Sequence, residues 1–238
     1  MDILYWPVME LILWGFLSTY IEKSNFRGVN IVTILMGAVI FWDLLNQSQR
    51  TVSVTFLEEV WEKNFINIFV TPLKISEFLV STVLLAFIRI ILVGIVMGIL
   101  GFLFYKFNLL QFGFYLIPFM LNLLIFGSAL GLFTTGLILR YGTSAQMLAF
   151  GFIFLIQPFS AVFYPVSALP HFVQFISYLL PSTYVFEGMR AVVATGTLPL
   201  DLLVYSFLGN IIYTAIILWY FYKMFAIVKI KGRLMKLD

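Results

Sequence analysis

Three ionisable residues interrupt long apolar stretches of this 238-residue sequence: Glu10, Asp43 and Arg89. A charge in the middle of a membrane-spanning helix costs on the order of 2.5–3.5 kcal/mol on insertion scales, so it seeks an opposite charge or water. We therefore expect Arg89 to pair with Asp43 or Glu10 on a neighbouring helix. Such a pair would either lock helices together or contact a transported substrate, and the sequence leaves both roles open.

The residue types present give little support for a catalytic, metal or nucleotide-binding site. The sequence has no cysteine, which excludes disulfides and thiol nucleophiles, and its single histidine, His171, argues against a histidine metal site or triad. It contains no G-x-x-x-x-G-K-[ST] loop that would cradle ATP phosphates, and neither G-x-S-x-G nor H-E-x-x-H. We therefore expect no catalytic, metal or cofactor site on this chain.

The composition predicts a membrane protein. Hydrophobic residues make up 62% of the chain and charged residues 11%, whereas soluble domains average about 25% charged. A soluble domain of this size could not keep so much apolar surface from water. Six stretches approach the roughly 20 apolar residues that a spanning helix needs. They run from about Ile3 to Ile21, Val29 to Leu45, Phe78 to Tyr105, Phe112 to Leu139, Met147 to Tyr164 and Leu202 to Met224. The predicted fold is one all-α polytopic domain over residues 1–238.

The placement of positive charge predicts the orientation. With both termini on the inner side, nine of the 14 lysines and arginines fall inside and four outside, while Arg89 lies within a span. The positive-inside rule favours this topology over its inverse. The two halves of the sequence show no internal repeat, which argues against secondary transporters built from inverted repeats.

Glycines indicate where two of the predicted spans pack. Gly94, Gly98 and Gly101 lie on or near one face of the third span. Gly127, Gly131 and Gly136 occur in the fourth. Small residues let helices approach closely, so these positions indicate helix contacts rather than binding sites.

The inner segment after the second span predicts a short amphipathic helix. Phe56, Leu57, Val60 and Trp61 fall on one helical face, and Glu58, Glu59, Glu62 and Lys63 on the other. The pattern fits a helix lying on the membrane or one that docks on a protein. Lipid-binding helices carry lysine and arginine on their polar face, so the three glutamates favour a protein partner. Pro72 then ends this region before the third span begins.

The outer segment before the last span predicts two short helices. Pro165, Pro170 and Pro181 punctuate it. The pieces from Leu169 to Leu180 and from Ser182 to Ala194 are too short to span a bilayer, so we expect re-entrant or interfacial helices. The alternative is a folded outer loop that only closes the structure.

Taken in order, these segments resemble the ABC-2-type permease family, the membrane subunits of type-2 ABC exporters. Three groups of residues carry the resemblance across nearly the whole chain. The groups are Trp6-Pro7 with Leu13-Trp14-Gly15-Phe16; Phe56 to Asn64 with Thr71-Pro72-Leu73 and Glu77-Phe78; and Leu169-Pro170 with Leu180-Pro181-Ser182-Thr183-Tyr184 and Glu187-Gly188-Met189-Arg190-Ala191.

The resemblance implies roles for two of these groups. The segment from Leu57 to Asn64 would be the coupling helix that docks on an ATPase subunit. The two short outer helices would gate the exit of the transport path, with Glu187 and Arg190 as an i, i+3 pair. The implied coupling residues are Leu57, Glu58, Glu59, Trp61, Glu62, Asn64 and Pro72, and the implied gate residues are Pro170, Pro181, Tyr184, Glu187 and Arg190.

The resemblance also implies partners and a location. The permease would pair with a second copy or a homologue, and ATP and Mg²⁺ would be bound by separate ATPase subunits. The substrate would be a drug, a lipid or a lipid-linked glycan, and the membrane a prokaryotic inner membrane. Many members, polysaccharide exporters especially, begin with an amphipathic helix before the first span. This sequence departs from that pattern, because its first predicted span already begins at about Ile3.

Three other functions compete with this interpretation. A secondary transporter or channel would use the charged residues to move ions or protons without an ATPase. A membrane scaffold would explain an acidic docking helix but not the paired outer helices. An intramembrane enzyme has the least support, because the sequence shows no nucleophile–base or metal constellation.

Overall fold

The computed structural model describes residues 2–23, 31–62, 73–197 and 199–230. In these residues the chain forms eight α-helices and no β-strand, which confirms the all-α class. The helices are α1 (Asp2–Lys23), α2 (Ile31–Trp61), α3 (Ile75–Tyr105), α4 (Leu116–Tyr141), α5 (Gln146–Ile156), α6 (His171–Leu179), α7 (Pro181–Thr195) and α8 (Leu200–Ile230). Short 3-10 helices occupy Leu109–Tyr115, Gly142–Ala145 and Val166–Ala168.

Five helical segments of the described chain are long and apolar enough to cross a membrane. They are α1, α2, α3, α8, and α4 together with the 3-10 helix before it. The predicted fifth span, from Met147 to Tyr164, is not one helix. Instead α5 has 11 residues, or about 16 Å at 1.5 Å per residue, against a hydrocarbon core of about 30 Å.

The early end of α5 has a local cause. Pro158 has no N–H with which to continue the helical ladder. The chain turns after Ile156, with the Ser160 N–H donating to the Ile156 carbonyl at 3.0 Å, and Ala161 takes a left-handed backbone conformation with φ of 52°. The segment is therefore apolar along its length but helical only in its first part.

The central helix α2 is longer than the predicted span. The sequence predicted a span ending at Leu45 and a polar loop from Asn46, but one helix continues to Trp61. The stretch from Asn46 to Trp61 contains neither glycine nor proline, so nothing interrupts the helix. Many of its polar side chains are buried rather than in water. The buried polar residues of this stretch are Gln47, Ser48, Gln49, Thr51 and Ser53.

Two glycines allow α4 to pack directly against the backbone of α2. A β-carbon built on Gly127 would lie 2.6 Å from the Leu45 carbonyl oxygen, and one built on Gly131 would lie 2.7 Å from the Gln49 carbonyl oxygen. Non-bonded carbon and oxygen atoms do not approach so closely, so these positions require glycine. The prediction that the glycines of this span mark a packing face is confirmed for Gly127 and Gly131.

Buried hydrogen bonds divide the bundle into two halves. In the Gln49 half, Gln49 Nε2 lies 3.4 Å from Thr134 Oγ1 of α4, and Ser53 Oγ donates to the Ala149 carbonyl of α5 at 3.1 Å. In the Asn122 half, Asn122 Oδ1 of α4 accepts from Ser206 Oγ of α8 at 2.7 Å. The two networks are 12 residues apart on α4, or about 18 Å.

The short helix α5 carries the chain from one half to the other. Ala149, near its start, belongs to the Gln49 half. Ser160, just after its end, has its Oγ 2.9 Å from Ser182 Oγ on α7. The carbonyl of the neighbouring Pro181 lies 3.0 Å from Ser206 Oγ, within the Asn122 half. The chain thus changes halves between α4 and α7 even though α5 is short.

Candidate coupling surface and α7 clamp

The end of α2 presents an acidic and aromatic surface, which we call the α2 tip and define as Glu58–Glu62. Glu58 and Glu62 are exposed, and the Trp61 side chain is 50% exposed. The Glu62 N–H donates to the Glu58 carbonyl at 2.9 Å, so the tip is continuous with the last helical turn. The predicted acidic face is therefore available at the end of a rigid element.

The opposite face of the tip is anchored in the bundle. Phe56, Leu57 and Val60 are buried, as the helical spacing predicted. The Phe56 ring packs edge-on against Phe78 of α3, with ring centroids 6.4 Å apart. Trp61 departs from the prediction, since it was placed on this apolar face and is instead half exposed.

The length of α2 determines where the tip lies. Its 31 residues make a helix of about 46 Å, which exceeds the hydrocarbon core by about 16 Å. Trp61 lies 12 residues beyond Gln49 along the helix. Exposed tryptophan is enriched among the residues that dominate protein interfaces, so this end of α2 is a candidate binding surface. The other predicted coupling residues, Asn64 and Pro72, lie outside the described residues.

Two prolines begin the two short helices that the sequence predicted. Pro170 immediately precedes α6, and Pro181 is the first residue of α7. Proline is tolerated there because the first N–H groups of a helix have no partner within it. The helices match the predicted segments from Leu169 to Leu180 and from Ser182 to Ala194 to within a few residues. Their placement relative to a membrane stays a prediction.

Tyr184 and Pro181 attach α7 to the helices on either side. The Tyr184 hydroxyl donates to the Tyr178 carbonyl of α6 at 2.7 Å, and its ring centroid lies 5.7 Å from that of Tyr205 on α8. Pro181 is buried, and a β-carbon on Gly209 of α8 would lie 3.0 Å from its Cγ. The pair α6–α7 is therefore held on α8 as a unit.

Glu187 and Arg190 form the predicted i, i+3 ion pair and also bind the chain that enters α6. Arg190 Nη2 donates to Glu187 Oε1 at 3.1 Å, and the same oxygen accepts the Val166 N–H at 2.7 Å. Arg190 Nη1 donates to the Val162 carbonyl at 3.2 Å. We call these four residues the α7 clamp. It fastens the connection between α5 and α6 to the middle of α7.

Burial at the clamp acts on the charge of Arg190. Burial lowers the pKa of the Arg190 guanidinium, and the charge and hydrogen bond of Glu187 oppose that shift. Arginine is the most basic side chain, so Arg190 keeps its positive charge at neutral pH despite this lowered pKa. Glu187 thus compensates the desolvation of a charged partner, and its removal leaves that charge without its counterion.

We expect Glu187→Ala to lower the free energy of unfolding by about 1–3 kcal/mol, because it leaves the Val166 N–H and the Arg190 guanidinium without their shared acceptor. Glu187→Gln should cost less, since it keeps an oxygen acceptor for Val166. Thermal unfolding of the detergent-purified chain measures both. Identical melting temperatures for the alanine variant and the wild type would mean that the clamp contributes nothing to stability.

The predicted pairing of Arg89 with an acidic residue is not formed. Within the described part of the chain, Arg89 makes no ion pair with Asp43 or Glu10. Asp43 of α2 is 3% exposed, and its Oδ2 has no hydrogen-bond partner among the described residues. Glu10 lies on α1, which packs against α2. Among the described residues, both acidic groups therefore lack a basic partner.

The aromatic and glycine residues of α1 make contacts that join distant parts of the chain. The Trp14 ring stacks on Phe163, after α5, with centroids 4.2 Å apart and planes 18° apart. Gly15 lies against the Tyr105 ring, and the Tyr105 hydroxyl donates to the Ile12 carbonyl at 3.1 Å. Within the Leu13-Trp14-Gly15-Phe16 motif, Trp14 and Gly15 thus pack α1 on the bundle, whereas Leu13 and Phe16 are exposed.

Comparison with known proteins identifies a matching family. The sequence model of the ABC-2 type transporter family matches residues 1–194. This range includes α1 to α6 and nearly all of α7, and therefore both the α2 tip and the α7 clamp. No curated protein matches the sequence.

Proposed function

Because this chain belongs to the ABC-2 type transporter family and is an integral membrane permease of that family, we propose that it is the membrane subunit of an ATP-driven exporter. The chain itself would catalyse no reaction. ATP and Mg²⁺ would be bound by separate ATPase subunits on the inner side of a prokaryotic plasma membrane, and a second copy or a homologue would complete the permease.

The observation that carries the proposal is the α2 tip. It combines an exposed tryptophan and exposed carboxylates at the end of a helix whose other face is fixed in the bundle. A rigid helix transmits a displacement at its tip to the residues it contacts inside. Here these include Gln49 and Ser53, which bond to α4 and α5. Closure of an ATPase pair could thus move the spans through α2.

The arrangement of the bundle supports a topology with both termini on the inner side. The chain changes halves between α4 and α7, which adds one passage to the five long apolar helices. Arg50 and Arg140 belong to the Gln49 half, whereas Lys106 and Arg190 belong to the Asn122 half. We assign the Gln49 half to the inner side, because α2 extends beyond it to the tip.

On this topology, α6, α7 and the α7 clamp form an outer gate. The clamp ties α7 to Val166, and the Tyr184 hydroxyl ties α7 to α6, so both would hold the gate helices together. A transport path between two permeases would be lined by apolar and aromatic side chains, which suits a hydrophobic or amphipathic substrate such as a drug, a lipid or a lipid-linked glycan.

The test is co-purification with the cognate ATPase subunit from native membranes, followed by an ATPase assay. We expect Glu58→Ala/Glu62→Ala to lose most of the bound ATPase subunit or its coupled activity. Glu22→Ala is the matched control, because Glu22 is an exposed glutamate at the other end of the molecule on this topology. If a well-folded wild-type chain retains no ATPase subunit, the proposal is wrong.

One observation favours a second candidate, an ATP-independent secondary transporter. A proton-coupled carrier requires ionisable groups within the membrane that can bind and release a proton. Glu10 and Asp43 are two such carboxyl groups, and neither has a basic partner in the described residues. Transport by the reconstituted chain after ATP depletion and under an imposed proton gradient separates the two functions. Transport that continues without ATP and stops in Asp43→Asn would favour the carrier.

A further inference from the structure

An open apolar groove runs along one side of α3. It encloses ≈ 680 Å³. One wall is formed by Ile95, Ile99 and Phe102 of α3, and the other by the 3-10 helix before α4 and by the first turns of α4, including Leu110 and Met120. The groove is distinct from the α2 tip and from the α7 clamp.

Glycines form the floor of this groove. A β-carbon on Gly98 would lie 3.2 Å from Leu109 Cδ2, and one on Gly94 would lie 3.6 Å from Leu44 Cδ2. The glycines thus let Leu109 and Leu44 pack against the α3 backbone and form a low floor together with them. The larger side chains of the two walls stand on either side of this floor and remain partly exposed.

The groove matches the depth of one lipid leaflet. Its α3 residues extend from Ile91 to Leu103, a rise of about 18 Å, and half of a bilayer core is about 15 Å. The deep end lies at Leu44, near the middle of α2. The other end lies just beyond the end of α3. On the topology assigned under the proposed function, this end is at the outer surface, and the inference rests on that assignment.

The mouth of the groove is polar, and a positive charge lies next to it in the chain. Asn108 is the polar residue among those lining it, and its Oδ1 accepts the Leu110 N–H at 3.0 Å, which leaves its amide N–H groups for another acceptor. Lys106, two residues earlier, caps α3 in a left-handed conformation with φ of 54°, and its side chain is exposed. Asn108 thus offers an amide donor at the mouth, and Lys106 supplies an exposed positive charge two residues away along the chain.

The shape and lining of the groove suit an extended hydrocarbon chain. The groove is open along one side, about 18 Å long, and lined by apolar side chains and glycines apart from Asn108.

We propose that this groove binds an anionic phospholipid, with one acyl chain along the glycine floor and the phosphate held by Lys106 and Asn108. Apolar contact with the walls supplies the bulk of the binding, and the mouth supplies selectivity for negative charge. Basic residues at a membrane surface attract anionic lipid with an energy that corresponds to about a five-fold change in affinity for each charge.

The experiment is native mass spectrometry of the full chain, without an ATPase subunit, titrated with dioleoyl phosphatidylglycerol or dioleoyl phosphatidylcholine. We expect one phosphatidylglycerol to be retained per chain, with weaker binding of phosphatidylcholine. Lys106→Asn should weaken phosphatidylglycerol binding about five-fold, since asparagine tolerates the left-handed backbone while the charge is lost. Lys23→Gln removes an exposed lysine at the end of α1 and should change nothing.

A second pair of variants tests the acyl-chain site without altering charge. Ile99→Trp places a large ring into the groove from its wall and should abolish retention of the lipid. Ile88→Trp makes the same change at an exposed α3 position that does not line the groove and should retain it.

The proposal would be overturned if the wild-type chain bound both lipids equally. It would also be overturned if Lys106→Asn and Ile99→Trp bound phosphatidylglycerol as well as the wild type does. A disulfide between two copies of Leu103→Cys in native membranes would overturn it too, because this face would then be an interface between chains. None of these outcomes depends on the ATPase, so failure here leaves the exporter function untouched, and loss of ATPase association leaves lipid binding measurable.

Discussion

Gly131→Leu is expected to abolish the folded state, and Gly131→Ala to destabilise it by about 1–3 kcal/mol, the usual cost of overpacking a close contact. A β-carbon at this position would lie 2.7 Å from the Gln49 carbonyl oxygen and 2.7 Å from Val52 Cβ. Neither obstacle is the free end of a flexible side chain, so relief requires α4 to move away from α2. That movement would also break the bond between Gln49 and Thr134.

Gly151→Ala is the matched control for this prediction. Gly151 lies within the helix α5 and is exposed, and a β-carbon built on it meets no atom within 4 Å. The change is therefore neutral or slightly stabilising, because alanine has the better helix propensity. Fluorescence-detected size-exclusion chromatography with a heating step compares the variants. Equal melting temperatures for Gly131→Ala and Gly151→Ala would contradict the close α2–α4 packing.

Trp61→Ala is expected to weaken binding of the ATPase subunit by tenfold or more. Trp61 is a large aromatic side chain, 50% exposed at the end of α2, and buried tryptophans at interface centres cost about 2 kcal/mol or more when truncated. Because the side chain is half exposed in the free chain, its loss should leave the melting temperature nearly unchanged. Trp61→Ala would thus lower the affinity for the ATPase subunit without lowering the melting temperature.

The control for this change is Trp219→Ala on α8. Trp219 is 64% exposed and carries the Lys223 ammonium 4.9 Å from its ring centroid, but it lies on a different helix from the tip. Titration of the purified permease with the ATPase subunit in nanodiscs measures both affinities. A loss in Trp219→Ala as large as that in Trp61→Ala would show that the tip has no special role.

The general architecture followed from the sequence because its causes are local or compositional. An apolar fraction of 62% permits few structures other than membrane helices. The third predicted span, from Phe78 to Tyr105, agrees closely with α3. Pro170 and Pro181 predicted the starts of α6 and α7, since proline fits the first turn of a helix and disrupts later ones. The family resemblance singled out Glu187 and Arg190, and their i, i+3 spacing allowed them to pair.

Two features escaped prediction because they depend on what a residue packs against. Asn46 to Ser53 looked like a loop because polar residues usually face water, yet most of these side chains are buried in the bundle. Arg89 looked like the partner of Asp43 or Glu10 because their charges are opposite. Charge does not specify which helix faces are adjacent, and the described residues form no such pair.

The sequence by itself determined that this protein is a helical membrane protein, where its prolines begin helices, and which family its motifs resemble. Only the tertiary structure decided that α2 is one continuous helix reaching from the bundle to an exposed tip, that α2 packs on α4 at Gly127 and Gly131, and that Asp43 is buried without a basic partner among the described residues. Periodicity and composition describe one helix at a time. Burial of a polar side chain, or a close approach of two backbones, is instead a property of a pair of helices and exists only once both are in place.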